Sequence, residues 1–173
     1  ANLIGTCSKD SINNVAIFSS VVHLGSDPAQ MGFIMRPQGK TLTDTFRNIK
    51  DSGFYTINHV TEKLIKKSHY TSAKLSPDES EFMKMKIDYE FIDDFQAPFV
   101  KESPLKIGMN LIEFIKLPND CIFIIGSIDM IVYPENAINE LGQLNLELYS
   151  AIGVSGLNTY YKLKKIESLP YVR

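Results

Sequence analysis

Apolar and polar residues alternate along the first forty positions, and turn-forming residues interrupt them at short intervals. Alternation of this kind, in runs rich in Val, Ile and Phe, is typical of β-strands. It predicts strands at residues 2–7, 14–24 and 31–35. Clusters of Ser, Asp, Gly and Pro separate these runs and favour tight turns. The pattern therefore predicts an antiparallel meander that could form part of a barrel.

The hydrophobic period changes after residue 40. Apolar residues then recur at helical spacing ahead of Gly53, which predicts a short helix that ends at this glycine. A later helix is expected to begin with Ser76 as its N-cap and Pro77 in its first helical position. In all, short helices are predicted at residues 41–52, 61–72, 78–85 and 134–141.

Strand patterns return between and after these helices. They predict further strands at residues 54–60, 105–117, 121–133 and 160–166. Pro118, Asn119 and Asp120 join the two long runs and favour a tight hairpin. Six or seven strands with short helices between them, and no linker or repeat, predict one domain over residues 1–173. Its fold class is α+β, mainly β, with a β-barrel and short peripheral helices.

Composition limits the classes of function. The chain has 173 residues, with 18 basic and 20 acidic side chains and a net charge of −2, which argues against a nucleic-acid binder. The longest uncharged apolar run, 121–128, is far shorter than the roughly 20 residues of a membrane span. Cys7 and Cys121 are far apart, which favours reduced thiols in a cytoplasmic protein. The chain begins with Ala1 rather than Met, and whether residues precede Ala1 stays open.

The common catalytic motifs are absent from the sequence. It contains no GxGxxG or P-loop for a nucleotide, no HExxH for a metal and no GxSxG for a nucleophile. The three histidines, His23, His59 and His69, have no spacing that predicts an acid–base pair. The catalytic residues therefore stay unassigned, and no metal site is predicted.

Two polar segments do suggest a ligand site. Residues 6–16 form a polar turn that leads into an apolar strand, so they could offer backbone N–H groups and an apolar wall to a flat polar ligand. The structural alternative is an ordinary hairpin turn. Residues 36–45 combine basic and hydroxyl side chains with a predicted helix start, which suits an anionic phosphate. These side chains are Arg36, Lys40, Thr41, Thr43 and Thr45. The alternative there is a capped helix with a solvated basic entry.

The ordered series of motifs resembles one known family. The run LIGTCSKDSINNVAIFSSVVHLGSDPAQMGFIMRP resembles the opening of the flavin reductase-like FMN-binding split-barrel family. Three later segments resemble that family in the same order: TFRNIKDSGFYTINHV, APFVKESPLKIGMNLIE and NDCIFIIGSIDMI. Together they cover about residues 3–130. Each motif is weak, whereas the series is more specific.

The resemblance implies a homodimeric split barrel that binds FMN, or FAD in some members, and often uses NADH or NADPH to reduce flavin. Carried onto this sequence, the residues expected to contact the isoalloxazine and ribityl chain are Asn13, Asn14, Val15 and Ala16. Those expected to hold ribityl oxygens and phosphate are Ser20, Arg36, Thr41, Thr43 and Thr45. Lys40 is added to this set because it is a second basic side chain in the segment 36–45. Candidates for an apolar dimer face are Phe114, Ile124 and Met130.

The chain departs from the family pattern at several positions. Ser11 replaces a turn glycine, so the turn is expected to avoid a positive φ there. Ala29 replaces a proline, and Asn110 stands where relatives often have Cys. Cys121 replaces a histidine that several reductases carry near the nicotinamide. Three functions stay open: an NAD(P)H-dependent flavin reductase, an FMN-binding electron-transfer protein without reductase turnover, and a non-flavin β-barrel interaction module.

Overall fold

The structure is a computed structural model that describes residues 1–170 and 172. Its strands are β1 (Asn2–Cys7), β2 (Asn13–Phe18), β3 (Val22–Ser26), β4 (Ala29–Met35), β5 (Phe54–His59), β6 (Tyr89–Glu90), β7 (Phe99–Val100), β8 (Lys106–Lys116), β9 (Ile122–Val132), β10 (Ile152–Ser155) and β11 (Thr159–Lys162). Its α-helices are α1 (Asp44–Ser52), α2 (Ile65–Tyr70), which follows a 3-10 turn at Glu62–Leu64, and α3 (Glu81–Lys84). The expected mainly β architecture with short peripheral helices is confirmed.

Seven strands form one antiparallel sheet in the order β2-β1-β5-β8-β9-β4-β3. The edge strands β2 and β3 follow each other in the chain, with only residues 19–21 between them. A flat sheet would separate these edges by about 29 Å, since neighbouring strands lie about 4.8 Å apart. The short link reaches at most about 14 Å. The sheet must therefore curl into a barrel.

Ser20 lies at the seam of the barrel, the line along which the two edges of the sheet, β2 and β3, come together. Its hydroxyl accepts a hydrogen bond from the Ile34 N–H at 3.1 Å and donates to the Ile34 carbonyl at 3.0 Å. The rings of Phe18 and Phe33 pack edge to face beside it, with their centroids 4.9 Å apart. Within the described chain, β2 pairs with β1 and β3 pairs with β4, so no ladder crosses the seam. The barrel is thus split along this line.

The sheet has apolar residues on both faces because a second layer covers part of its outside. The barrel interior is filled by Ile4, Phe33, Met35, Ile49, Tyr55, Ile57, Ile107, Met109 and Ile124. A second cluster packs the outer face of β1 and β2 against the helices and the small sheets. It contains Leu3, Val15, Val60, Leu64, Phe82, Ile87, Val100 and Ile152. Consecutive residues of β1 therefore belong to different cores, as the two-residue period of a strand requires.

The outer edge of β2 is covered by side chains from the helical region. Ser80 donates to the carbonyl of Asn13, Glu81 accepts from the Val15 N–H, and Thr71 accepts from the Ile17 N–H at 3.0 Å. These three backbone groups alternate along the strand and would otherwise be exposed. Covering them removes an open sheet edge, which is a common site of unwanted strand pairing.

Several predicted boundaries are confirmed. Helix α1 ends as expected at Gly53, which has a φ of 78° and donates to the Ile49 carbonyl at 2.9 Å. The predicted hairpin joins β8 to β9, with Asp120 at a φ of 62°. None of the helices in the described residues is both long and apolar enough to cross a membrane.

Other predicted elements are wrong or incomplete. The run 14–24 forms two strands, because the chain crosses the seam between them. The predicted helix at 78–85 shrinks to α3, whose N-cap is Ser80, since Ser76 instead bonds to Glu79 in a turn. Residues 134–141 form turns rather than a helix. The short strands β6, β7 and β10 carry too little pattern to be predicted.

Two residue-level expectations are also wrong. Ser11 has a φ of 61°, so the turn uses the left-handed conformation despite its side chain. The turn is held because Ser11 N–H donates to the Ser8 carbonyl at 3.0 Å and Ile12 N–H donates to the Ser8 hydroxyl at 3.0 Å. Ile124 is fully buried inside the barrel and cannot belong to an exposed dimer face. Phe114 and Met130 are half-buried.

Candidate functional site

Asn14 connects the two polar segments that the sequence singles out. It is buried, and its amide oxygen accepts hydrogen bonds from the hydroxyls of Thr45 at 3.2 Å and Thr6 at 3.3 Å. Its Nδ2 donates to Glu81 Oε2 at 2.6 Å, and Asn48 Nδ2 donates to the Thr6 hydroxyl at 3.1 Å. Strands β1 and β2 and helices α1 and α3 therefore meet in one buried polar network.

Asn13 points to the other side of β2 and lines an open cleft of about 450 Å³. The cleft has aromatic, acidic and small polar walls, contributed by Cys7, Ser11, Asn13, Phe91, Asp93, Asp94, Phe95 and Gln96. Asn13 Oδ1 is buried and has no hydrogen-bond partner among the described residues. A buried acceptor without a partner is costly, so a ligand that donates to this atom would be favoured.

Cys7 lies in the same cleft but is a poor nucleophile. Burial raises the pKa of its thiol above the ordinary value, which keeps the sulfur protonated near neutral pH. The cleft therefore offers shape and hydrogen bonding, with no activated thiolate.

Val15 and Ala16 take part in the packing of β2. The Val15 side chain is fully buried in the second core, and its N–H is bonded to Glu81. Ala16 is half-buried opposite Ile4 of β1. Ser20 lies at the seam, where Ile34 already uses its hydroxyl as both donor and acceptor.

The segment from Arg36 to Thr43 forms an exposed loop before α1. Arg36, Lys40, Thr41 and Thr43 are all exposed. Thr43 is the N-cap residue of this nine-residue helix, and both its N–H and its hydroxyl donate to Gln38 Oε1 at 2.9 Å. Basic and hydroxyl side chains therefore gather beside the positive end of a helix dipole. Thr45 belongs to the same segment but is buried against Asn14.

A second cleft, of about 400 Å³, lies between this loop and the tip of the β8–β9 hairpin. Pro37 and Gln38 line it from the loop, opposite Phe114, Lys116, Asp120 and Ile122. Lys116 and Asp120 form an exposed ion pair at 2.8 Å, which lowers the pKa of the Asp120 carboxyl. Cys121 lies between Asp120 and Ile122 in the sequence, and both of these residues line the cleft.

Sequence reasoning missed several residues of this region. Glu81 falls in the segment predicted only as a short helix at residues 78–85, and it is 5% exposed in the structure. Thr6, Gln38 and Asn48 lie within segments that the sequence singles out, but no role is predicted for them there. The strand alternation of residues 2–7 could have placed Thr6 on the same face as Ile4, whereas the contacts of Glu81 depend on distant parts of the chain.

Comparisons with known proteins extend over almost the whole chain. A family model described as "Flavin reductase like domain" matches residues 1–151. A curated but uncharacterised protein of Aquifex aeolicus is 29% identical over 161 residues, which cover 92% of this chain and 81% of that protein.

Solved structures with the same architecture are also similar. The crystal structure of a candidate flavin reductase with a split barrel domain from Shewanella frigidimarina is 41% identical, with a TM-score of 0.92 over 99% of this chain and 85% of that one. Flavoredoxin of Desulfovibrio vulgaris is 21% identical, with a TM-score of 0.82 over 97% of this chain and 88% of that one. The likeness to flavoredoxin concerns the fold.

Proposed function

Because this chain belongs to the flavin reductase-like domain family, we propose that it is a flavoprotein that binds FMN and transfers electrons through it. The match over residues 1–151 agrees with the ordered motifs on which the resemblance rests. The observation that carries the proposal is the hydrogen bond between Asn14 and Thr45, because it joins the two segments expected to hold the two ends of the flavin.

The loop before α1 fits the phosphate of FMN. A phosphate dianion needs positive charge and several donors. Arg36 and Lys40 supply the charge, Thr41 and Thr43 supply hydroxyls, and the first turn of α1 adds its helix dipole. In this proposal Thr45 and Asn14 position the loop from behind, since both are buried.

The cleft at Asn13 fits the isoalloxazine. Phe91 and Phe95 provide apolar walls for a flat ring, and the unpartnered Asn13 Oδ1 can accept from the ring N–H. Val15 and Ala16 support this wall through their packing in β2, and Ser20 keeps the barrel closed nearby. Bound FMN would supply the hydride-accepting chemistry. The residues of this chain would bind it, orient it and limit its access to water.

The first candidate activity is an NAD(P)H-dependent flavin reductase, with FAD as an alternative flavin. The similarity to the Shewanella frigidimarina protein supports it, given the 41% identity. The second candidate is an FMN-binding electron-transfer protein. Cys121, in place of the histidine near the nicotinamide in several relatives, favours this second activity. The third alternative, a non-flavin interaction module, requires the series of family motifs to be a coincidence. The family match over residues 1–151 argues against a coincidence.

Titration with FMN tests the proposal directly. We expect about one FMN per chain, with quenching of flavin fluorescence and an absorbance band of bound oxidised flavin. Riboflavin, which lacks the phosphate, is the matched control and should bind more weakly because the loop before α1 then has no anion to hold. A chain that takes up no FMN would overturn the proposal.

Rapid mixing of the FMN-loaded protein with NADH or NADPH separates the two candidate activities. Bleaching of the flavin absorbance by either nucleotide identifies a reductase. Absence of bleaching with both, together with reversible reduction by dithionite, identifies the electron-transfer protein.

We also propose that the protein forms a homodimer and acts in the cytoplasm. The expected partners are flavin and nicotinamide nucleotides and a second copy of the chain, with no role for nucleic acid at a net charge of −2.

A further inference from the structure

Glu81 is a buried carboxylate at the end of the Asn14 network. Only 5% of the residue is exposed, and no basic side chain in the described residues forms an ion pair with it. Its partners are instead hydrogen-bond donors: Asn14 Nδ2 at 2.6 Å, the Val15 N–H and its own N–H. A buried carboxylate held only by neutral donors is unusual, because the burial of charge is costly.

The carboxylate determines how Asn14 is oriented. An ionised carboxylate only accepts hydrogen bonds, so the Asn14 NH₂ group must face Glu81. The amide oxygen is then directed toward donors, and it accepts from the hydroxyls of Thr45 and Thr6. A flipped amide would place its oxygen against the carboxylate oxygen and lose the 2.6 Å contact.

Asn14 in turn holds the beginning of α1. Thr45 is the second residue of this helix, and Thr43 is its N-cap. The path from Glu81 to the exposed loop therefore consists of two hydrogen bonds, Glu81 to Asn14 and Asn14 to Thr45, and the first two residues of α1. A helix start that is held at Thr45 fixes the direction of its free N–H groups and the exit of residues 40–43.

We infer that Glu81 is a positioning residue for the phosphate-binding loop, acting through Asn14 and Thr45. This inference rests on the proposed function, since the loop is assigned to the phosphate of FMN there. Glu81 itself touches no part of the assigned site.

The ionised form of Glu81 is the one that orients Asn14. Burial is the largest cause that raises the pKa of this carboxyl above its ordinary value, and the charge of Asp44 in α1 raises it further. From β2 it faces only the Asn14 amide and backbone N–H groups. Acidification through this raised pKa protonates Glu81, so the positioning is present at higher pH and is lost as the pH falls.

Glu81→Gln is the central variant, because it keeps the size of the side chain and removes the charge and the titration. We expect its Kd for FMN at neutral pH to rise about 3- to 30-fold. Glu79→Gln is the matched control: Glu79 lies two residues away and is only partly buried, and it bonds to Lys84 and Ser76 instead of Asn14. The Kd of this control for FMN should stay within about twofold of the wild-type value.

The pH profile separates positioning from general damage. The FMN phosphate also titrates, near pH 6. The informative quantity is therefore the part of the pH dependence of the Kd for FMN that is lost in Glu81→Gln and kept in Glu79→Gln. Parallel profiles for all three proteins would overturn the inference.

A double-mutant cycle tests the route of the effect. Thr45→Val removes the hydroxyl link with little change in shape. If Glu81 acts through Thr45, adding Glu81→Gln to Thr45→Val should raise the Kd much less than it does in the wild type. Equal effects in both backgrounds would overturn the proposed route.

Amide hydrogen exchange decides the inference without any flavin. In the flavin-free protein, Glu81→Gln should speed exchange at residues 47 and 48, which carry the first helical hydrogen bonds of α1, whereas Glu79→Gln should not. Unchanged exchange in a folded Glu81→Gln protein would overturn the inference, even if the wild type binds FMN. Failure of the wild type to bind FMN, with faster exchange in the variant, would overturn the proposed function and leave the positioning role supported.

Discussion

Asn13 and Asn14 are neighbours of identical chemistry, but the structure separates their roles. Asn14 is buried with all of its described hydrogen bonds inside the protein, whereas Asn13 faces a cleft with an acceptor that has no partner. The difference follows from strand geometry, since successive side chains point to opposite faces. A ligand can therefore be recognised directly by Asn13 and only indirectly through Asn14.

Arg36 is the residue whose replacement should affect flavin binding most directly. It is exposed and forms no ion pair among the described residues, so its guanidinium is free to bind a phosphate. Arg36→Ala should raise the Kd for FMN about 10- to 150-fold, the effect of losing a charge-assisted hydrogen bond. The affinity for riboflavin should change little. Fluorescence titration measures both.

Lys63→Ala is the control for Arg36, because it removes one exposed positive charge from a different element, the 3-10 turn at Glu62–Leu64. An FMN affinity that is equal in Arg36→Ala and in this control would remove Arg36 from the site.

At the scale of elements, the short link between β2 and β3 is the feature that requires the sheet to close into a barrel. The chain passes from one edge of the sheet to the other within three residues, and Ser20 is what joins that passage to β4. The same residue was expected to bind the ribityl chain, and its two bonds to Ile34 provide a structural reason for a serine here.

Ser20→Ala should lower the free energy of unfolding by about 1–3 kcal/mol, because both backbone groups of Ile34 lose their partner. Urea unfolding measures this change. Ser19→Ala, at the exposed neighbouring position, should stay within about 0.5 kcal/mol of the wild type. If Ser20→Ala unfolds like the wild type but binds FMN more weakly, Ser20 serves the flavin rather than the seam.

At the scale of the whole molecule, the long β8–β9 hairpin is a stretch of regular structure that exposes apolar side chains. Ile112 and Ile131 are 49% and 48% exposed, and Tyr133, just beyond β9, is 44% exposed. Apolar surface of this kind is commonly covered by another chain. With Ile124 buried, these residues replace it as the best candidates for a dimer face.

Sedimentation velocity should detect a dimer at micromolar concentration. Ile131→Glu should shift it toward the monomer, because a charge would be buried without a partner. Leu157→Glu, at an exposed apolar position in the β10–β11 turn, is the matched control and should remain dimeric. A wild-type monomer at this concentration would contradict the prediction.

The sequence by itself determined the local features of this protein. The glycine that ends α1, the hairpin at Pro118–Asp120 and most long strands follow from short-range rules of turn chemistry and alternation. The ordered motifs also determined the family. The basic and hydroxyl residues before α1 could be recognised because they are contiguous in sequence.

Only the tertiary structure decided which of these residues are buried and which line an open cleft or an exposed loop. Asn14 and Thr45 look equivalent to Asn13 and Thr43 in sequence, but barrel closure and the packing of α1 and α3 bury the first pair. Glu81 lies 67 residues from Asn14, and no local pattern relates them. The left-handed Ser11 likewise depends on its bonds to Ser8. Burial and hydrogen bonding between distant residues are properties of the closed barrel. No short-range pattern in the sequence can therefore predict which polar side chains they enclose.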